Sequence, residues 1–322
     1  MILVTGANGL LGSKICEHLL DEGHRVYALV RKDSNTRLLD SIKDKLTIIQ
    51  GDVMAPENFE SDLTSLDTII HCAAVVSFHR SDKELMREIN VNGTANMVNL
   101  ALRMNCKYFI QISSVAALGR KSGQQVVDES SEWEESDLNS HYGYSKYLAE
   151  LEVYRGIAEG LNAVMLNPSV ILSDAKSGRS SAQLIRYARK EPKFHPSGKI
   201  NWVDIRDVLH AISVCLNQKP SAERYILNGG MVSYKDFFTE IATRLGTTPP
   251  KFEAGPALAY LGMYIQKVIG TFTGKKSLIT SETIRLSKTD IYFDNEKAKT
   301  ELGINFASLS DTLDWVCGTP QQ

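Results

Sequence analysis

The chain has little of what holds small exported proteins together. Its 322 residues include only 5 cysteines. These are Cys16, Cys72, Cys106, Cys215 and Cys317, widely separated, with no CxxC pair and no histidine at ligand spacing. Neither a disulfide framework nor a metal site is expected, and the cysteines read as small buried hydrophobes in a reducing compartment. An excess of one charge is also missing. Thirty-six Lys+Arg face 38 Asp+Glu, a formal net charge of −2, so there is no global field to gather a polyanion and no nucleic-acid partner is expected. No hydrophobic run reaches the roughly 20 residues that span a bilayer. The longest apolar-rich stretch, 257–272, is interrupted by Gln266 and Lys267. The N-terminus opens on Met1-Ile2-Leu3-Val4 without the basic and apolar regions of an export signal, which makes cytoplasmic the expected location.

What is present is an alternation. Residues 2–5, 26–30, 47–49, 68–71 and 108–112 read as strands buried on both faces, being β-branched and apolar without a polar side. Helical period fills the gaps. Leu11, Ile15 and Leu19 share a face before Glu22-Gly23, and Leu85, Ile89, Met97, Leu100 and Met104 share one across 84–104. Strand and helix repeated in this way predict an α/β fold, a Rossmann-type doubly wound parallel sheet. A further helix is expected from Tyr142 to about Glu159, then a strand at 163–167 that Pro168 stops. Beyond it the pattern loosens, with helices at 181–190, 205–217, 234–245, 257–269 and 295–302 and strand pieces at 225–227 and 291–293. The expected organisation is a sheet domain over 1–168, to which 201–228 returns, and a smaller α+β lobe over 169–322.

The first strand runs into Gly6-Ala7-Asn8-Gly9-Leu10-Leu11-Gly12. Three glycines spaced three apart at a strand-to-helix turn allow the chain to reverse, backbone N–H groups to approach a pyrophosphate, and the helix to pack close to the sheet. Gly6, Asn8, Gly9, Leu10, Leu11 and Gly12 are therefore candidate cofactor contacts. At the end of the second strand, where a carboxylate would accept from a ribose 2′-OH, stands Val30, followed by Arg31 and Lys32. Two cations without that carboxylate favour NADP(H) over NAD(H), with Asp33 as the counter-argument and a solvated turn as the bland alternative. Asp52 and Val53 stand where a carboxylate and an amide could meet the adenine edge.

Ser113-Ser114 closes the fifth strand, and Tyr142 and Lys146 lie at i and i+4 on the next helix, sharing a face. Sites of open α/β sheets lie outside the carboxyl ends of the strands, so the three side chains converge.

At this point the sequence resembles the extended short-chain dehydrogenase/reductase family. Thr5–Gly12, His71-Cys72-Ala73-Ala74, Asn90-Val91-Asn92-Gly93-Thr94, the Ser-Ser pair and Tyr142-x-x-x-Lys146 occur in the family's order and spacing over nearly the whole chain. The resemblance implies Tyr142 as general acid/base, Lys146 as its electrostatic partner and ribose ligand, Ser114 as donor to the substrate oxygen, and Asn90 as a helix-breaking support that helps relay protons. It also implies cofactor contacts at Ala73, Ala74, Asn167, Pro168 and Ser169.

Within the family, nucleotide-sugar enzymes usually carry an arginine before the motif that reads Asn201-Trp202-Val203-Asp204 here, and Ile200 occupies that place. Leu166-Asn167-Pro168-Ser169-Val170, Val30-Arg31 and the Tyr292-Phe293-Asp294 ending look like the dihydroflavonol 4-reductase-like enzymes. The resemblance thus implies reduction of an apolar ketone or aldehyde, with Tyr260, Met263, Tyr264 and Phe272 lining a pocket or packing in a lobe helix. The alternatives are a nucleotide-sugar epimerase or dehydratase using the same Tyr142 and Lys146, and a non-catalytic NADP sensor. A homodimer through the helices at 84–104 and 142–159 is allowed by their apolar faces.

Overall fold

The protein is described from a computed structural model covering residues 1–64, 66–174, 182–255 and 280–318. The stretch 257–272 and its helix therefore lie outside the described residues.

Eleven strands are introduced up to the end of the central sheet: β1 (Ile2–Thr5), β2 (Val26–Val30), β3 (Thr47–Gln50), β4 (Thr68–His71), β5 (Tyr108–Ile112), β6 (Val126–Val127), β7 (Ala163–Pro168), β8 (Val170–Leu172), β9 (Phe194–His195), β10 (Lys199–Asp204) and β11 (Glu223–Leu227). Seven of them form one sheet in the order β11-β7-β5-β4-β1-β2-β3, with every pair parallel. The order reverses between β1 and β4, so a crevice opens at their carboxyl ends.

Side chains of successive residues leave by opposite faces, and both faces are covered. Ile2, Val4, Ile70, Tyr108 and Ile110 pack into one core with helices α1 (Leu10–Asp21) and α6 (Ile205–Gln218). Leu3, Ile69 and Phe109 enter the other with α3 (Gly93–Arg103) and α4 (His141–Ala158). This double burial is why the strands read as unbroken apolar runs.

Three expectations need correction. β3 is an edge strand in which only Ile49 is buried, because nothing pairs beyond it. Pro168 does not stop β7; it is the strand's last residue, paired with Leu227, where one missing N–H costs little. The helix expected over 84–104 is continuous but not uniform. It runs through α2 (Lys83–Met86), a π-helical segment at Arg87–Asn92, and α3.

The lobe is built on a three-stranded sheet, β8-β10-β12, with β12 at Gly230–Ser233, none of whose strands was expected. β8 starts two residues after β7 ends, so this sheet continues beyond the carboxyl ends of the central strands. Trp202, Ile200, Leu172 and the helix α7 (Tyr234–Leu245) form its core through Phe237, Phe238 and Ile241. Two small parallel pairs complete it: β9 with β13 (Phe252–Glu253), and β6 with β14 (Tyr292–Phe293). The second pair ties the chain's C-terminal part to the segment that follows β5. β11 and α6 join the central sheet and its cover, as does the helix Glu296–Leu302 through Ala298 and Leu302.

Candidate active site

The turn between β1 and α1 is closed by the Gly9 N–H donating to the Gly6 carbonyl at 2.9 Å. Gly6 has φ +64°, and a Cβ there would stand 2.8 Å from the Ala73 nitrogen, so the turn lies against the chain leaving β4. Gly12 is tighter still, since its Cβ would fall 2.2 Å from the Gly6 oxygen. The opening of α1 has glycine at the N-cap, no side-chain cap and no acid in its first turn. Its first amides, among them those of Leu10 and Leu11, are thus left without a capping side chain, and the helix dipole adds a positive end. A cradle of this shape fits the pyrophosphate of a dinucleotide.

Gly12→Ala would push a methyl group into backbone that cannot yield cheaply. The expected result is roughly 10²-fold weaker dinucleotide binding in a titration, the equivalent of 2 to 3 kcal/mol of overpacking. Unchanged affinity would remove the turn from the cofactor site.

Asn8 donates to the Asn35 carbonyl at 3.2 Å and so closes the rim of the turn. Along the carboxyl ends of β2 and β3 lies a cleft of about 540 Å³ lined by Arg31, Lys32, Asp33, Ser34, Gln50, Gly51 and Asp52. Arg31 and Lys32 are exposed in it. One Asp52 oxygen accepts from the Met54 amide at 3.0 Å, which orders the loop, and Val53 is buried with its carbonyl accepting from Asn96. Ala73 donates its N–H to Thr5 Oγ1 at 3.1 Å; Ala74 follows it out of β4. His71, beside Thr5 Oγ1 at 2.7 Å, is held neutral because burial pushes its pKa down to about 3.

At the end of β5 the two serines part. Ser113 donates to Glu150, whereas Ser114 caps the short 3₁₀ turn Val115–Leu118 and lies close enough to the Tyr142 hydroxyl to favour the phenolate. Tyr142 sits in the first turn of α4, which Ser140 caps by accepting from Gly143 at 2.8 Å. Its ring meets Phe78 edge-on, with centroids 6.3 Å apart. Burial pushes the phenol up to about 12, against the lowering effect of the Ser114 hydroxyl.

Lys146, one turn on, is buried, and its Nζ donates to the Ile112 carbonyl at 2.8 Å. Its hydrogen bond therefore fastens α4 to the end of β5 instead of reaching the phenol. Burial lowers its pKa to about 8, which Glu150 opposes. Asn90 does not break its helix; the π-helical widening swings its amide onto the strand-exit loop. There Oδ1 accepts from the Val75 amide at 2.7 Å and Nδ2 donates to the Val75 carbonyl and to Ser145 Oγ, each at 2.9 Å. Asn167 Nδ2 donates to the Ser114 carbonyl at 3.0 Å, and next to it Pro168 ends β7. Asn167 Oδ1 and Ser169 Oγ are buried with no partner among the described residues, two polar atoms available to a ligand at that strand end.

Two residues of this region were not singled out from the sequence. Glu150 lies one turn past Lys146 and is 1% exposed; it collects Ser113, Asn167 Nδ2 at 2.6 Å and, at 3.5 Å, the Arg224 guanidinium. Its i+4 spacing was visible, but its burial was not. Arg120, two residues past the turn that Ser114 caps, carried no sequence signal at all. Tyr144 and Tyr147 pack on Trp133, with the Tyr147 and Trp133 rings stacked at 4.8 Å.

The model of the NAD dependent epimerase/dehydratase family matches residues 2–228. The chain is 27% identical to a putative dihydroflavonol 4-reductase of Synechocystis sp. over 97% of its length and 93% of that protein's. It is 30% identical to cinnamoyl-CoA reductase 2 of Arabidopsis thaliana over 70% of this chain and 72% of that one. Among solved structures, gox2253 superposes with a TM-score of 0.82 at 30% identity, over 98% of this chain and 96% of the other. UDP-glucose 4-epimerase of Thermotoga maritima, solved with UDP-glucose, superposes at 0.78 and 20% identity over 98% and 97%, a likeness of fold.

Proposed function

Because the chain belongs to the NAD-dependent epimerase/dehydratase family, we propose that it is an NADP(H)-dependent reductase of ketone or aldehyde carbonyls, with Tyr142 as the general acid. The observation that carries this reading is the placement of Ser114 beside the Tyr142 phenol at the carboxyl end of β5, with buried Lys146 one helical turn away. The relatives named above as reductases support the direction of the chemistry.

A bound dihydronicotinamide supplies the hydride, which adds to the carbonyl carbon. The residues do the rest. Tyr142 gives its phenolic proton to the oxygen as negative charge grows there, and Ser114 Oγ holds that oxygen within hydrogen-bond reach. Lys146 contributes positive charge on the same helical face, which stabilises the phenolate left behind. Asn90, satisfied by Val75 and Ser145, keeps the start of α4 in register with the loop after β4.

Preference for NADP(H) rests on Arg31 and Lys32 in the cleft at the ends of β2 and β3, with no carboxylate at Val30. A 2′-phosphate there would gain charge-assisted hydrogen bonds of about 1.5–3 kcal/mol. The test is the initial rate of NADPH and NADH oxidation over a panel of aldehydes and ketones. NADPH is expected to be preferred, and Arg31→Glu to cut the preference by about 10²-fold, mainly through KM for NADPH. An enzyme that prefers NADH from the outset would overturn the cofactor assignment.

A further inference from the structure

Two residues past the turn that Ser114 caps stands Arg120, a cation with no carboxylate paired to it among the described residues. Gly119, at φ +74° and packed against Trp133, redirects the chain, and Arg120 then lies over the Phe293 ring with its Cζ 5.6 Å from the centroid. Its Nε is buried without a hydrogen-bond partner, and no carboxylate pairs with it among the described residues. Burial lowers its pKa, to about 10, which still leaves it charged at neutral pH. The residue as a whole is half-buried, and a guanidinium with a buried, unpaired Nε is costly to keep without an acid beside it.

The position explains the omission. The segment from Ser114 to Arg120 starts at the residue beside the Tyr142 phenol and ends against Phe293 of β14, the strand that pairs with β6. A guanidinium is a planar fork of donors suited to the two oxygens of a carboxylate or phosphate. We propose that Arg120 is a substrate-anion site, so that the carbonyl compound reduced here carries a carboxylate or phosphate ester. The inference rests on the reductase reading for the identity of the carbonyl, but the anion site itself can be tested without turnover.

The protein loaded with oxidised NADP, which cannot reduce an aldehyde, is titrated calorimetrically with 4-carboxybenzaldehyde, 4-formylphenyl phosphate and neutral methyl 4-formylbenzoate. At least one anion is expected to bind about tenfold more tightly than the ester, corresponding to one charge-assisted contact, and Arg120→Met to erase the difference. Which anion wins separates carboxylate from phosphate. Equal binding of all three, no binding of either anion, or a preference that survives in Arg120→Met overturns the proposal. Thermal unfolding guards against a structural role: removing an unpaired interior charge should leave the midpoint unchanged or raise it, and a marked fall would also overturn the assignment. With NADPH in place of NADP, anion binding without any reduction would sink the reductase reading alone.

Discussion

Tyr142→Phe is expected to lower kcat for carbonyl reduction by about 10³-fold while leaving the fold and NADPH binding intact. The substitution removes one oxygen, which lies beside the Ser114 hydroxyl, and keeps the ring that packs edge-on against Phe78. No buried group is left stranded, since Ser114 also accepts from the Ala116 amide. The loss should fall on kcat far more than on KM, because the proton is needed only as charge develops on the substrate oxygen. Ser114→Ala should cost somewhat less, about 10²-fold, as removal of one donor to a developing oxyanion typically does.

The pH behaviour should be lopsided. With the phenol near 12 in the cofactor-free protein, its protonated form persists across the neutral range, so reduction needs no pH change to supply the acid. The reverse oxidation needs the phenolate and should climb with pH. Stopped-flow single turnovers in both directions measure this. A Tyr142→Phe enzyme turning over within a few-fold of the unsubstituted one would discard the mechanism.

How much of this was open to a reader of the sequence depends on whether the relevant contact is local. β1, β2, β4 and β5 were legible because both of their faces are buried, and the glycine turn because its three positions serve one short loop. The proximity of Ser114 and Tyr142 follows from the rule that open α/β sheets bind at their carboxyl ends. In the lobe the helix at 234–245 and the strand at 291–293 were legible, but the three-stranded sheet escaped because its strands are three to six residues long and exist only through partners elsewhere in the chain, as when β12 pairs with β10. Yet β10 did show a sign, the alternation of exposed Lys199, buried Ile200, half-buried Asn201 and buried Trp202. The π-helical turn at Arg87–Asn92 could not be read, since it is set by the grip of Asn90 on Val75 rather than by any period in the helix itself. Lys146 shows the same limit. Its spacing from Tyr142 is local, but its acceptor, the Ile112 carbonyl, is supplied by another element.

Glu150→Gln should shift the alkaline limb of the reduction rate to lower pH. Lys146 is held near 8 by two opposed effects, burial that favours the neutral amine and the Glu150 carboxylate that favours the cation. Glutamine keeps an acceptor for Ser113 and Asn167 and removes the charge, so the lysine loses its proton at a lower pH and the supporting cation disappears earlier. The sign carries over to stability. A lysine whose folded pKa lies below its ordinary 10.5 destabilises the fold in full below the folded value, and that penalty fades as pH rises from there to the ordinary value. The Glu150→Gln protein should therefore compare least favourably with the unsubstituted one at acidic pH and recover above about 8. Glu150→Leu is a harsher change. It takes the shared acceptor from Ser113 and Asn167 and the opposing charge from Lys146 in a site 1% exposed, and breaking a buried pair from one side costs about 3–5 kcal/mol. Arg224 would survive, because it also donates to the Glu129 and Ser131 carbonyls. Urea unfolding at pH 6 and 9, run beside pH–rate profiles, separates the two variants. An alkaline limb that stays in place in Glu150→Gln would show that the Lys146 charge is not what sustains turnover, and the role given to that lysine would have to be withdrawn.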